Sequence, residues 1–195
     1  MGIKLNKSRN YSEDPLKIGV VGLGSVGRRH VETYSNHDLC QIKWIFDIDQ
    51  ELSHRISHEF GGIAIAEDYR TIVVDNNIDV ISICTYDGEH FKMIVPALEN
   101  CKHVFVEKPM CSTKDEVRKI KHAWNKAGRP ALDSNLMSRG SPLYKWLQEF
   151  IERGGLGKIY AIDAEYWYGR QHKLTDGWRN SVKNYSVMAG GGIHL

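Results

Sequence analysis

The sequence has no long apolar run: nothing in its 195 residues reaches the roughly 18 consecutive apolar positions of a membrane span. It has no C-x-x-C pair and no H-E-x-x-H run, so neither a zinc ribbon, a dithiol redox centre nor a helical zinc site is signalled. No metal is expected. The opening segment MGIKLNKSRNYSEDP is polar and has no secretion-signal core; residues 1–14 read as a flexible tail. Net charge is small: 26 Lys and Arg against 24 Asp and Glu leave +2. Nothing in that balance calls for nucleic acid or an anionic membrane as partner. Cys40, Cys84, Cys101 and Cys111 show no pairing pattern and read as reduced thiols of a cytoplasmic protein.

What is present is an alternation. Short β-branched runs at Lys17–Gly22, Gln41–Asp47, Ile63–Ala66, Val80–Cys84, His103–Glu107 and Ala131–Asn135 read as strands. Helical patterns separate them at Ser25–Tyr34, Gln50–Phe60, Asp68–Asn76, Glu89–Asn100 and Thr113–Ala127, the last opened by a capping-box sequence. Strands that are apolar throughout are buried on both faces, so the spacing predicts an α/β domain with a doubly wound parallel sheet over 15–136. After Asn135 the texture changes. Pro142–Arg153 is an amphipathic helix, and Lys158–Tyr168 alternates like an antiparallel strand with one wetter face. Residues 137–195 are therefore expected to begin a second, α+β domain for substrate binding or oligomerisation.

Gly22-Leu-Gly24-Ser25-Val26-Gly27 closes the first strand and opens the first helix. In that place a G-x-G-x-x-G turn cradles a diphosphate: Gly22 for the tight turn, Gly24 for close approach, Gly27 for helix–strand packing. Asp47 ends the second strand, where a carboxylate accepts hydrogen bonds from a ribose and repels a 2′-phosphate. This favours NAD over NADP. Asp47 alternatively starts the FDID turn, and Asp49 competes for either part. S-adenosylmethionine is another user of a glycine-rich first turn, but the remaining motifs weigh against it. The fifth strand runs straight into Glu107-Lys108-Pro109, which sets a carboxylate and an ammonium at the carboxyl edge of the sheet, where open α/β sheets bind ligands.

With GVVGLGSVGRRH, FDID, ICTYDGEHFKMIVPALENCKHVFVEKPM, SNLMSRGSPLYKWLQEFIERGGLGKI, Trp178-Arg179 and the terminal GGGIHL, the chain resembles the Gfo/Idh/MocA family of nicotinamide-dependent oxidoreductases. The resemblance implies a Rossmann domain and hydride transfer to or from a hydroxyl carbon of a sugar, nucleotide sugar or cyclitol. It also implies roles. Lys108 matches the active-site lysine and His194 the catalytic histidine. Glu107 and Pro109 match shapers of the nicotinamide-ribose site; Thr85, Tyr86 and His90 match a segment lining the cofactor. Asn135 and Arg139, with Trp178 and Arg179, fall near the substrate.

Two features depart from the family pattern. Gly190 stands where many members carry an aspartate four positions before the histidine, which removes an aspartate relay. The second domain is short, which suggests a truncated member whose lone aromatic strand is open to aggregation, to pairing with another copy of the chain in a homo-oligomer, or to disorder after about Gly169. A noncatalytic dinucleotide-binding or regulatory protein, or an inactive remnant of a dehydrogenase, is the alternative reading.

Overall fold

β-branched and apolar residues set six strands in the computed structural model, which describes residues 13–165, 167, 169 and 172–176. These are β1 (Leu16–Val21), β2 (Cys40–Phe46), β3 (Ala64–Ile65), β4 (Val80–Ile83), β5 (His103–Val106) and β6 (Leu132–Ser134). They form one sheet in the order β3-β2-β1-β4-β5-β6, with every pairing parallel. Parallel neighbours need crossovers, which α1 (Ser25–Ser35), α2 (Gln50–Glu59), α3 (Tyr69–Val74), α4 (Asp87–Glu99) and α5 (Lys114–Lys126) supply. The doubly wound expectation is met.

Side-chain alternation divides the core in two. Ile18 and Val20 of β1, Ile45 of β2 and Val80 of β4 pack with Val31 of α1 and Ile56 of α2. Val21, Ile81, Ile83, Val104 and Val106 face the other way, onto Ile72, Ile94, Leu98 and Ile120 of α3, α4 and α5. All four residues of β4 are buried, as a central strand requires.

The helix ends follow their side chains. Asp49 caps α2 by accepting from the Leu52 amide at 3.0 Å, and Asp68 caps α3 through the Arg70 amide at 2.7 Å. Thr113 and Glu116 form the reciprocal capping box of α5, at 3.2 and 3.0 Å. Helix α4 starts two residues earlier than its apolar period suggests. Tyr86 is extended, and Asp87 and Glu89 suit the positive first turn.

The chain divides into two compact units, Met1–Asn135 and Leu136–Leu195. The second holds α6 (Met137–Gly140), α7 (Pro142–Glu152) and α8 (His172–Thr175). The strand expected over Lys158–Tyr168 is not formed: residues 158–165 carry no β-ladder. A strand takes its hydrogen bonds from a neighbour, and no described segment supplies one. Tyr160 and Ile162 accordingly stand 98% and 82% exposed. Tyr166 and Tyr168 lie outside the described residues.

Candidate functional site

Backbone rungs continue one step past the ends of the central strands. The Gly22 amide donates to Phe46 O, the Cys84 amide to Val21 O, the Glu107 amide to Ile83 O and the Asn135 amide to Val106 O, all between 2.7 and 2.9 Å. Gly22, Cys84, Glu107 and Asn135 thus stand in one row along the carboxyl edge. The glycine-rich turn and the Glu107-Lys108-Pro109 turn are two strand widths apart, about 10 Å. Between them, the sheet order reverses at β1 and β4, the place where open α/β sheets form their crevice.

The glycine turn is built by close approach. Gly22 has φ +86°, and a Cβ there would meet the Cys84 and Thr85 backbone at 2.7–2.8 Å. A Cβ on Gly27 would lie 1.8 Å from the Gly22 carbonyl oxygen. Gly24 is different: its Cβ would meet nothing within 4 Å. Its glycine identity answers to no neighbour in the chain, which suits a backbone that an outside group approaches. Gly24 is also the N-cap of α1, which has no side-chain cap bond and no acidic residue in its first turn. The exposed stretch Gly24-Ser25-Val26 therefore presents the positive end of a helix without a counter-charge of its own.

Asp47 starts the FDID turn, one of the two parts its position suggests, and also reaches the glycine turn. One carboxylate oxygen accepts from the Leu23 amide at 2.6 Å, fastening the glycine turn to β2; the other accepts from the Asp49 amide at 2.9 Å. Each oxygen keeps a second lone pair for a ribose hydroxyl. Asp49 is occupied as the cap of α2.

Glu107 lies in a buried polar cluster. Oε1 accepts from Asn135 Nδ2 at 2.6 Å and lies 3.3 Å from His30 Nε2, and the Glu107 and His30 side chains are 13% and 11% exposed. Burial opposes ionisation of Glu107. The hydrogen bonds from His30, Asn135 and the Lys108 amide outweigh it and hold the carboxyl below its ordinary value. On its other side, His30 Nδ1 is 2.8 Å from Ser82 Oγ and 3.2 Å from Cys84 Sγ. Burial pushes both the Cys84 thiol and the Tyr34 phenol up to about 12, so both stay protonated. His30, Tyr34 and Asn135 also line a cleft of about 400 Å³ over the same face of the sheet.

Sequence reasoning assigned His30 and Ser82 no role. The available signal was a serine inside the apolar run VISIC, facing the helix that carries a histidine.

The other expected residues divide. Thr85 and Lys108 are half-buried, Tyr86 is 51% exposed at the start of α4, and the Lys108–Pro109 peptide is cis. His90 is expected to line the cofactor. It is fully buried, with Nδ1 2.7 Å from Pro109 O and Nε2 3.1 Å from Thr85 O. Each ring nitrogen faces a main-chain carbonyl, and a ring with a single N–H donates to one of the two, so His90 packs between the turn after β4 and the turn after β5. Asn135 spends its amide on Glu107, which makes it first a support of that carboxylate. Arg139 is exposed on α6, in the other unit. Trp178, Arg179 and His194 lie outside the described residues. His54 and His58 are exposed one turn apart on α2, but no group of three metal-binding side chains occurs among the described residues. No described helix is long and apolar enough to cross a membrane.

A parallel sheet of this order, with a glycine turn at β1 and a carboxylate at β2, defines a dinucleotide-binding α/β domain. Residues 16–132 match the family model described as oxidoreductase family, NAD-binding Rossmann fold, and the chain belongs to this Gfo/Idh/MocA family. It is 33% identical to the uncharacterized oxidoreductase YrbE of Bacillus subtilis, over 75% of the chain and 44% of that protein. It is 28% identical to inositol 2-dehydrogenase/D-chiro-inositol 3-dehydrogenase of Lactiplantibacillus plantarum, over 86% of the chain and 48% of that protein. The solved scyllo-inositol dehydrogenase of Lactobacillus casei, with bound NAD(H) and scyllo-inositol, shares the fold. Its TM-score is 0.79 at 22% identity, over 92% of this chain and 54% of that one. The chain spans about half the length of the curated relatives it matches.

Two predictions follow from this geometry. Gly27→Ala drives a Cβ into the Gly22 carbonyl and costs about 3 kcal/mol, while Gly24→Ala, with open space around it, costs under about 1 kcal/mol. Urea denaturation of the two variants measures the contrast; equal losses would show that the turn relaxes. The second concerns acid. Because the folded Glu107 carboxyl lies below its unfolded value, its contribution is complete above about pH 4.3 and is lost as pH falls through the folded value. Glu107→Gln removes that component, so its stability falls less steeply with acid when followed by circular dichroism. An unchanged acid limb would refute the assignment.

Proposed function

We propose that the first unit binds NAD along the carboxyl edge of its sheet and forms the nucleotide-binding half of a dehydrogenase acting on a sugar or cyclitol hydroxyl. The observation that carries this reading is the Gly24 turn, uncapped and open, in one row with the Glu107-Lys108 turn. The main chain at Gly24, Ser25 and Val26 would receive the diphosphate, and Asp47 the adenosine ribose. NAD is preferred over NADP because the Asp47 carboxylate repels a 2′-phosphate.

The bound nicotinamide supplies the hydride acceptor. What the chain's own residues contribute is charge and proton handling. The Lys108 ammonium, half-buried at the strand end, stabilises the negative charge that develops on the substrate oxygen. His194 is assigned the exchange of the hydroxyl proton by resemblance. The inositol dehydrogenases among the relatives support a cyclitol or sugar as substrate class. Arg139, Trp178 and Arg179 are assigned to that substrate on the same ground. The all-free state of Cys40, Cys84, Cys101 and Cys111 supports a cytoplasmic location.

Titration with NADH, read by nicotinamide fluorescence, is expected to saturate, and Gly24→Ala is expected to weaken it because a methyl group would stand where the diphosphate approaches. NADPH should bind at least about tenfold more weakly, equivalent to 1.4 kcal/mol. With myo-inositol and NAD, Lys108→Ala is expected to keep cofactor binding while lowering turnover by about 100-fold or more. Binding without turnover in the unaltered chain would favour the noncatalytic reading; absence of NADH binding would sink both.

A further inference from the structure

A serine inside a central strand has to find partners, since its hydroxyl is cut off from water. Ser82 is fully buried in β4, between Ile81 and Ile83. Its neighbours are His30 Nδ1 at 2.8 Å and the Tyr34 hydroxyl at 3.3 Å, both from α1. His30 and Tyr34 stand one turn apart on that helix, edge to face at 5.9 Å. The opposite edge of the His30 ring reaches Glu107, whose Oε1 also takes the Asn135 amide. His30 additionally packs on Phe105, two residues before Glu107 on the same face of β5, at 5.5 Å.

The directions of these hydrogen bonds are mutually consistent. An ionised carboxylate only accepts, so the His30 proton belongs on Nε2, facing Glu107. When the ring carries that single proton, Nδ1 accepts from Ser82, and Ser82 accepts from Tyr34. The order runs Tyr34 to Ser82 to His30 to Glu107, with Asn135 donating from the far side. The contact from Cys84 Sγ to Nδ1 at 3.2 Å offers a second donor to the same acceptor.

This chain of contacts joins two parts of the candidate site that the sequence separates widely. Helix α1 carries the glycine turn at its N-terminus and His30 in its second turn. Glu107 immediately precedes Lys108. We propose that His30 is a positioning residue: by holding the Glu107 carboxylate it fixes the Lys108 turn relative to the glycine turn, and so sets the distance between the nicotinamide and diphosphate ends of one bound nucleotide. This rests on the NAD reading above. Apolar residues of similar volume would fill the same space with no charge to desolvate, and such replacements are often neutral or stabilising.

The test compares NADH with ADP, which carries the diphosphate but lacks the nicotinamide ribose and ring. Affinities are measured for the unaltered chain, His30→Leu, His30→Gln and Ser82→Ala, with urea denaturation of each alongside. Leucine removes the donor to Glu107. Glutamine restores an amide N–H at a similar reach, with an oxygen to accept from Ser82. In His30→Leu, NADH affinity is expected to fall about tenfold while ADP affinity changes less than about twofold, a modest case of the rate and affinity losses that small misplacements produce. His30→Gln recovers most of the loss. Ser82→Ala, which keeps the fold's volume, shifts NADH in the same direction by a smaller factor. Unchanged NADH affinity in His30→Leu and Ser82→Ala overturns the proposal. So does a proportional loss of NADH and ADP, which is the mark of general loosening. An unaltered chain that binds neither nucleotide overturns the NAD reading itself, and the two failures are thereby distinguished.

Discussion

The first turn of α1 lies so close to the end of β1 that no side chain fits between them: the space a Gly27 Cβ would need is taken by the Gly22 carbonyl. That contact fixes where the helix starts and in which direction it leaves the sheet. An α-helix advances 1.5 Å per residue, so a helix anchored at Gly27 delivers His30 and Tyr34 to predetermined places over β4 and β5. The arrangement of the site descends from there. The glycine turn presents its amides, Asp47 fastens that turn to β2, and the His30 ring reaches Ser82 and Glu107.

Two kinds of interaction share the work of shaping this edge. Main-chain rungs align Gly22, Cys84, Glu107 and Asn135 without reference to side-chain identity, which is why any sequence folding into this sheet places four residues there. Side chains then set the separation and tilt of the turns. His90 joins the turn after β4 to the Pro109 carbonyl; Asn135 and His30 hold Glu107 from opposite sides. Each is buried or half-buried, where a hydrogen bond is electrostatically stronger than in water and a missing partner is costly. A site assembled this way is stiff before any ligand arrives, and stiffness lowers the entropic cost of ordering a nucleotide.

How much of this could be read from the sequence depended on distance along the chain. The G-x-G-x-x-G turn, the acid at the end of β2 and the apolar strands are local patterns, and each appears where the pattern puts it. Asp47 shows the limit: spacing marked it, but the bond to Leu23 N–H that makes it a latch as well lies 24 residues away. The partnership of His30 with Glu107 is further still from local, and neither residue's neighbours in sequence betray it. His90 was legible as a residue of this edge, but its place between the Thr85 and Pro109 carbonyls was not, because that contact joins two separate turns. The alternation over Lys158–Tyr168 was real as a pattern, yet a strand exists only with a partner, and pattern alone does not supply one.

The division between the two units carries a chemical consequence. On the proposed reading, the turns of the first unit address features common to all dinucleotides: a diphosphate, a ribose, a reactive end near an ammonium. Asn135, the one amide there expected to meet a substrate, gives one N–H to Glu107 and has a second N–H and an oxygen besides. Discrimination among sugars requires hydrogen-bond donors and acceptors matched to particular hydroxyls, because a mismatched hydroxyl leaves buried polar groups unpaired. On the proposed reading such groups include Asn135 and Arg139, which lie outside residues 16–132, the stretch that matches the family's nucleotide-binding model. On that reading Asp47 bears on cofactor choice, while Arg139, Trp178 and Arg179, the residues assigned to the substrate, lie outside that stretch.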